Sequence, residues 1–165
     1  MTATPQKLSG LYDSQRGGLR QRDFVAWTME TGQLIRAGKF EQVDWSAVAE
    51  EIESLGRSDR RELKSRLEVL LQYLLKWQYQ SSHQSKSWLH TIREQRHRLE
   101  DLLADSPGLR AELENPELEN ILPIVFDRSR KAASEETNLP LNNFPEICPY
   151  TLQQIFSPDF FPEPN

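Results

Sequence analysis

The stretch Ser58-Asp-Arg-Arg-Glu-Leu-Lys-Ser-Arg-Leu-Glu-Val-Leu-Leu-Gln-Tyr-Leu-Leu-Lys-Trp-Gln-Tyr79 decides the fold class. At about 100° per residue, Leu63, Leu67, Leu70, Leu71, Leu74 and Leu75 cover roughly a third of a helix circumference. Val69, Tyr73 and Trp77 widen that stripe towards half. A stripe so wide predicts a long central helix with neighbours on more than one side.

The flanks repeat the helical period. Asp23 is placed to cap a helix whose face is Phe24, Trp27, Thr31, Leu34 and Ile35, and Gly38 offers a left-handed stop. Asp44 caps a second, with Trp45, Val48, Ile52 and Leu55 read as inward and Gly56 as its terminator. The polar string Gln80–Ser85 leads into another helix with Trp88, Ile92, Gln95, Leu99, Leu102 and Leu103 inward. Ser106-Pro107 and Asn115-Pro116 are both a cap followed by proline at the first helical position. Beyond Asn115 the period runs through Pro123 in phase, which predicts a kinked helix, and Asn138 is its natural stop.

From Leu139 onward, prolines 140, 145, 149, 158, 162 and 164 alternate with many aromatic and aliphatic residues. This predicts an extended segment laid over the helices, with a short helix near Tyr150–Phe156. No alternating strand pattern and no internal repeat is visible. The expectation is an all-α, single-domain helical bundle over 23–161, with a loosely ordered segment at 1–22 and a tail at 162–165.

Composition narrows the class further. A length of 165 residues suits one domain with a real core. No apolar run is long enough to cross a bilayer, and Met1-Thr-Ala-Thr-Pro5 lacks the pattern of a secretory signal. The single cysteine, Cys148, forms no internal disulfide and reads as a structural thiol. These features predict a cytoplasmic location without membrane association. The net charge of −5 is unevenly spread: residues 57–98 hold ten Lys/Arg against Asp59, Glu62, Glu68 and Glu94. Acidic helices packing beside this basic centre are the favoured explanation.

Four stretches in order carry a family likeness: Ala49-Glu-Glu-Ile-Glu-Ser-Leu-Gly-Arg-Ser58, Leu74-Leu-Lys-Trp-Gln-Tyr79, Ser87-Trp88 with Thr91-Ile-Arg-Glu-Gln-Arg96, and Cys148-Pro-Tyr-Thr-Leu-Gln153. Together they resemble the bacterial, largely cyanobacterial family called domain of unknown function 29, from about Leu11 to Phe161. The chain departs from that pattern at Ser14–Arg22, where the family passes more directly from Leu-Tyr into Asp-Phe. The resemblance implies an all-helical fold and no established activity.

Three constellations bear on chemistry. His90, Glu94, His97 and Asp101 form one stripe, and Glu94-x-x-His97 matches the motif of carboxylate-bridged metal bundles. His90, Glu94 and His97 are therefore metal-ligand candidates, with Glu50 or Glu53 as conceivable partners. That stripe lies opposite Trp88, Ile92 and Leu99, which predicts that it faces water. The basic centre with Trp77, Tyr79 and Trp88 has the ingredients of a single-strand nucleic-acid surface. The acidic isoelectric point, near 5.3, opposes that reading. Finally, Glu50, Glu51 and Glu53 sit near Arg57 and Arg60, but neighbouring carboxylates on a helix point about 100° apart. Glu51, Glu53, Arg57, Arg93 and Arg96 are accordingly assigned to structural ion pairs, with Glu53 and Arg57 one turn apart.

Gly-rich phosphate loops, nucleophile elbows and zinc-protease signatures are missing from the sequence. No catalytic residue and no cofactor is expected. The leading functional reading is a non-catalytic protein acting through contact with another protein or with itself. A nucleic-acid-associated role for residues 57–98 is the alternative, and a metal-dependent enzyme ranks third.

Overall fold

A computed structural model describes residues 18–115 and 121–165 of the chain. Every regular element among them is helical, so the fold is all-α. The α-helices are α1 (Phe24–Arg36), α2 (Trp45–Tyr79), α3 (Lys86–Asp105), α4 (Pro107–Glu114), α5 (Ile121–Thr137) and α6 (Leu152–Phe156). Short 3-10 turns occupy Phe40–Gln42, Ser81–His83 and Leu141–Asn143. The contacts divide the chain into two compact units, residues 1–56 and 57–165.

In the first unit, residues 18–22 are helical, although the sequence there was read as loosely ordered; positions 1–17 of that reading lie outside the described residues. Asp23 caps α1, its Oδ1 accepting from the Ala26 amide at 2.9 Å. Gly38 ends the turn after α1 with φ 69°, the left-handed conformation that glycine adopts without a Cβ clash. Asp44 then accepts from the Ala47 amide at 3.0 Å and starts α2.

Two expectations fail at this point. Gly56 does not terminate a helix, because α2 runs unbroken from Trp45 to Tyr79. A glycine stops a helix only where the chain takes a positive φ, and Gly56 has none. Nor are Trp45, Ile52 and Leu55 inward: they are 49%, 64% and 63% exposed. Among the described residues of this unit, Trp27, Val43 and Ala47 are buried. On α2, Ala47 is buried, with Val48, Glu51 and Ser54 half-buried beside it, so the covered side is centred away from Ile52 and Leu55.

The second unit holds a deep core. Leu63, Leu67, Leu70, Leu71, Leu74 and Leu75 of α2 are all at most 1% exposed. They meet Ile92, Leu99 and Leu103 of α3 and Val125, Phe126 and Ala133 of α5 in one apolar cluster. Each such side chain contributes roughly 1.5–3 kcal/mol on burial. Ser85 caps α3, accepting from the Trp88 amide at 3.3 Å. Ser129 of α5 is fully buried and donates to the carbonyls of Val125 and Glu68, tying α5 to α2.

Pro123 lies within the described part of α5, which continues helical through it to Thr137. The helix start read at Asn115-Pro116 lies in 116–120, outside the described residues. Asn138 closes α5 with φ 56°.

The C-terminal segment covers the helices as its composition implied. Phe144, Tyr150 and Ile155 are buried in the cluster. Thr151 and Gln154 form a capping box for α6. Further on, the Phe161 ring meets Trp77 at 5.2 Å, and the Asn165 amide donates to the Gln78 carbonyl at 2.9 Å.

Candidate functional site

Helix α3 carries two overlapping stripes. His90, Glu94, His97 and Asp101 are exposed, as expected, with His90 Nε2 3.8 Å from Glu94 and His97 Nε2 3.6 Å from Asp101. These are spaced i,i+4 pairs on a solvated face. Among the described residues, no three His, Cys, Asp or Glu side chains converge as a metal site would require.

The neighbouring stripe, Arg93, Arg96, His97 and Glu100, leads into a cleft. Arg96 is only 5% exposed. Its Nε donates to the Ile155 carbonyl at 2.9 Å and its Nη2 to the Phe160 carbonyl at 2.8 Å. Longer contacts of 3.4 and 3.5 Å reach the carbonyls of Pro158 and Gln154. The guanidinium also lies 5.4 Å from the Phe161 ring centre. Burial pushes its pKa down to about 10, against the opposing charge of Asp159, so it stays cationic at neutral pH. The expected ion pair at Arg96 is thus chiefly a clamp on backbone carbonyls, which pins α6 and the turn after it against α3.

Arg93, Arg96, His97, Glu100 and Arg110, with Phe156, Pro158 and Asp159, line a cleft of ≈ 390 Å³. Leu103, Leu113, Leu152, Phe156 and Arg110, with Glu114, Gln153 and Ser157, line another of ≈ 440 Å³. Arg93 and Arg110 are exposed and have no acidic or hydrogen-bonding partner among the described residues.

Three cations of the basic centre meet carboxylates within the protein. Arg60 grips Glu112 through Nε at 2.9 Å, and Arg66 pairs with Glu62. Lys76 is 5% exposed, with Nζ 2.6 Å from Glu136 and 4.2 and 4.5 Å from the ring centres of Tyr73 and Trp88. A buried ammonium needs such compensation. The hydrogen bond from Lys76 holds the Glu136 carboxyl below its ordinary range, despite partial burial.

The acidic run of α2 is served from an unexpected direction. Arg20 donates to Glu50 at 2.8 Å and to Glu51 at 3.1 Å, one guanidinium spanning two carboxylates that point apart. Glu53 and Arg57 are both exposed and both partnered. Sequence reasoning missed Arg20 because it precedes the first strong apolar period. Cys148 is half-buried, and burial pushes its thiol pKa up, away from the reactive thiolate.

The first unit has a different character. Seven of the ten exposed large apolar residues of the described chain belong to it: Phe24, Val25, Met29, Phe40, Trp45, Ile52 and Leu55. Phe40 and Trp45 stack with ring centres 6.2 Å apart, and Trp45 Nε1 donates to the Phe40 carbonyl at 3.1 Å.

The family model described as Domain of unknown function DUF29 matches residues 19–161. The match begins at Leu19, later than the start near Leu11 expected from the sequence. No curated protein and no solved structure matches the chain.

Proposed function

This chain belongs to the domain of unknown function DUF29 family, and from that premise we propose that it acts by contact with another protein, through the apolar surface of its first unit. The observation that carries the reading is the exposure of Val25, Met29, Ile52 and Leu55, each above 60%, in a unit whose buried apolar residues, among those described, are Trp27, Val43 and Ala47. Apolar surface left bare on a helical face is the common signature of a binding surface.

Charge selects the kind of partner. Residues 18–56 hold seven acidic side chains against four basic ones, so a second copy would bring like charge to the same surface. An apolar helix face flanked by lysine or arginine complements it. Among the described residues no helix is long and apolar enough to cross a membrane. A nucleic-acid role for residues 57–98 has less cationic surface to draw on, since Arg60, Arg66, Lys76 and Arg96 are engaged within the protein.

The test is chemical crosslinking in the native host with the intact chain, the double variant Ile52→Ser/Leu55→Ser, and Ile147→Ser as control. Ile147 is 83% exposed but lies in the second unit. The expected result is a crosslinked partner, basic at its contact surface, that is lost with the double variant and kept with the control. Equal capture by all three proteins, or crosslinks only between copies of the chain, overturns the reading.

A further inference from the structure

The two clefts of the second unit share a wall, since Arg110 and Phe156 line both. One cleft is mainly apolar, through Leu103, Leu113, Leu152 and Phe156. The other gathers three guanidiniums, Arg93, Arg96 and Arg110, against the carboxylates of Glu100 and Asp159. Each volume falls within the range of small-molecule sites.

The three cations are not equivalent. Arg96 directs its donors at backbone carbonyls and contributes charge alone. Among the described residues Arg93 and Arg110 have no acceptor for their donors, and they come from different helices, α3 and α4. A guanidinium fork matches the geometry of a carboxylate. In this cleft three guanidiniums face two carboxylates, and Glu114 adds a third carboxylate in the neighbouring cleft, a balance that suits a monoanion better than a phosphate dianion. The apolar neighbour suits a hydrocarbon tail.

We propose that the joined clefts bind an amphipathic carboxylate, its head held by Arg93 and Arg110 and its chain lying against Leu103, Leu113, Leu152 and Phe156. The binding surface includes α6 and the turn that Arg96 pins, so the clamp builds one wall of the site. The proposal stands apart from the contact surface of the first unit and does not depend on it.

Calorimetric titration of the full chain with acetate, octanoate, decanoate and neutral octanol tests it. Acetate gives no measurable binding. Octanoate and decanoate bind saturably, one per chain, and each added methylene tightens binding about fourfold. Arg110→Gln weakens decanoate by about tenfold or more, the value of a charged hydrogen bond, and leaves octanol unchanged. Leu113→Gln weakens both, and Ile52→Ser/Leu55→Ser weakens neither. Circular dichroism confirms that each variant folds. The proposal is overturned if decanoate does not saturate at millimolar concentration, if Arg110→Gln binds it like the parent, or if the first-unit variant abolishes binding.

Discussion

Replacing Arg96 by lysine keeps the charge and most of the stem but removes the planar fork. In the folded protein, two of its bonds have ordinary length, to Ile155 and Phe160 at 2.9 and 2.8 Å. The contacts at 3.4 and 3.5 Å add little. A hydrogen bond from a charged donor contributes about 1.5–3 kcal/mol, and one ammonium retains at most one of the two. Burying the more strongly hydrated ammonium adds to the loss. Arg96→Lys is therefore expected to destabilise by about 2–4 kcal/mol, a fall in Tm of roughly 4–16 °C for a chain of this size. Arg96→Met loses both bonds but also removes the burial cost of the charge, the cost that pushes the Arg96 pKa down to about 10. Its net cost is then no greater than that of lysine. Urea unfolding read by circular dichroism gives the totals. Tryptophan fluorescence reports the strap locally, because Trp77 lies against Phe161. Lysine within about 0.5 kcal/mol of the parent, or milder than methionine by about 1 kcal/mol, would refute the carbonyl clamp.

Gly56→Ala should stabilise the protein by about 0.8–1 kcal/mol, since Gly56 is helical and an added Cβ meets nothing within 4 Å; a loss in thermal unfolding would mean that the helix stops there. Ile52→Ser and Leu55→Ser, at exposed positions, should each change stability by less than about 0.5 kcal/mol in urea titrations. Glu136 has a folded pKa below 4.5, chiefly through Lys76. The unfolded state then binds more protons as pH falls, so this contribution is present above about pH 4.5 and lost as pH drops through the folded value. Lys76→Met should make the acid limb of stability against pH shallower, and an unchanged limb in denaturation midpoints from about pH 3 to 5 would count against the pair.

What was legible in the sequence is what is local. Asp23, Gly38, Asp44 and Asn138 act within a few residues of themselves, and the structure uses each where its chemistry points. The leucines from 63 to 75 were legible because a wide stripe needs cover on several sides. The glycines show where the reading stops. Gly38 and Gly56 look alike in sequence, yet only Gly38 takes the left-handed conformation. Arg96 is expected from the sequence in an ion pair, but its acceptors are carbonyls some sixty residues away. Every residue type has a carbonyl, so no side-chain pattern announces that partnership. Arg20 escaped for a similar reason, since its carboxylates lie about thirty residues further on.

Periodicity identifies an apolar face without saying what covers it, and the two units answer that question differently. In the second unit the apolar face of α2 is closed by other helices and by the C-terminal segment. In the first, the residues with the strongest apolar character on α2 stay open, while the covered side carries Ala47 and the carboxylate gripped by Arg20. A unit that uses an ion pair where it has isoleucine and leucine available is not arranged for its own greatest burial. The carboxylates interspersed among those open residues oppose self-association through like charge. The same charge favours a basic partner over a random apolar one. In the proposed contact with a basic partner, the large apolar residues would supply affinity and the acidic ones discrimination.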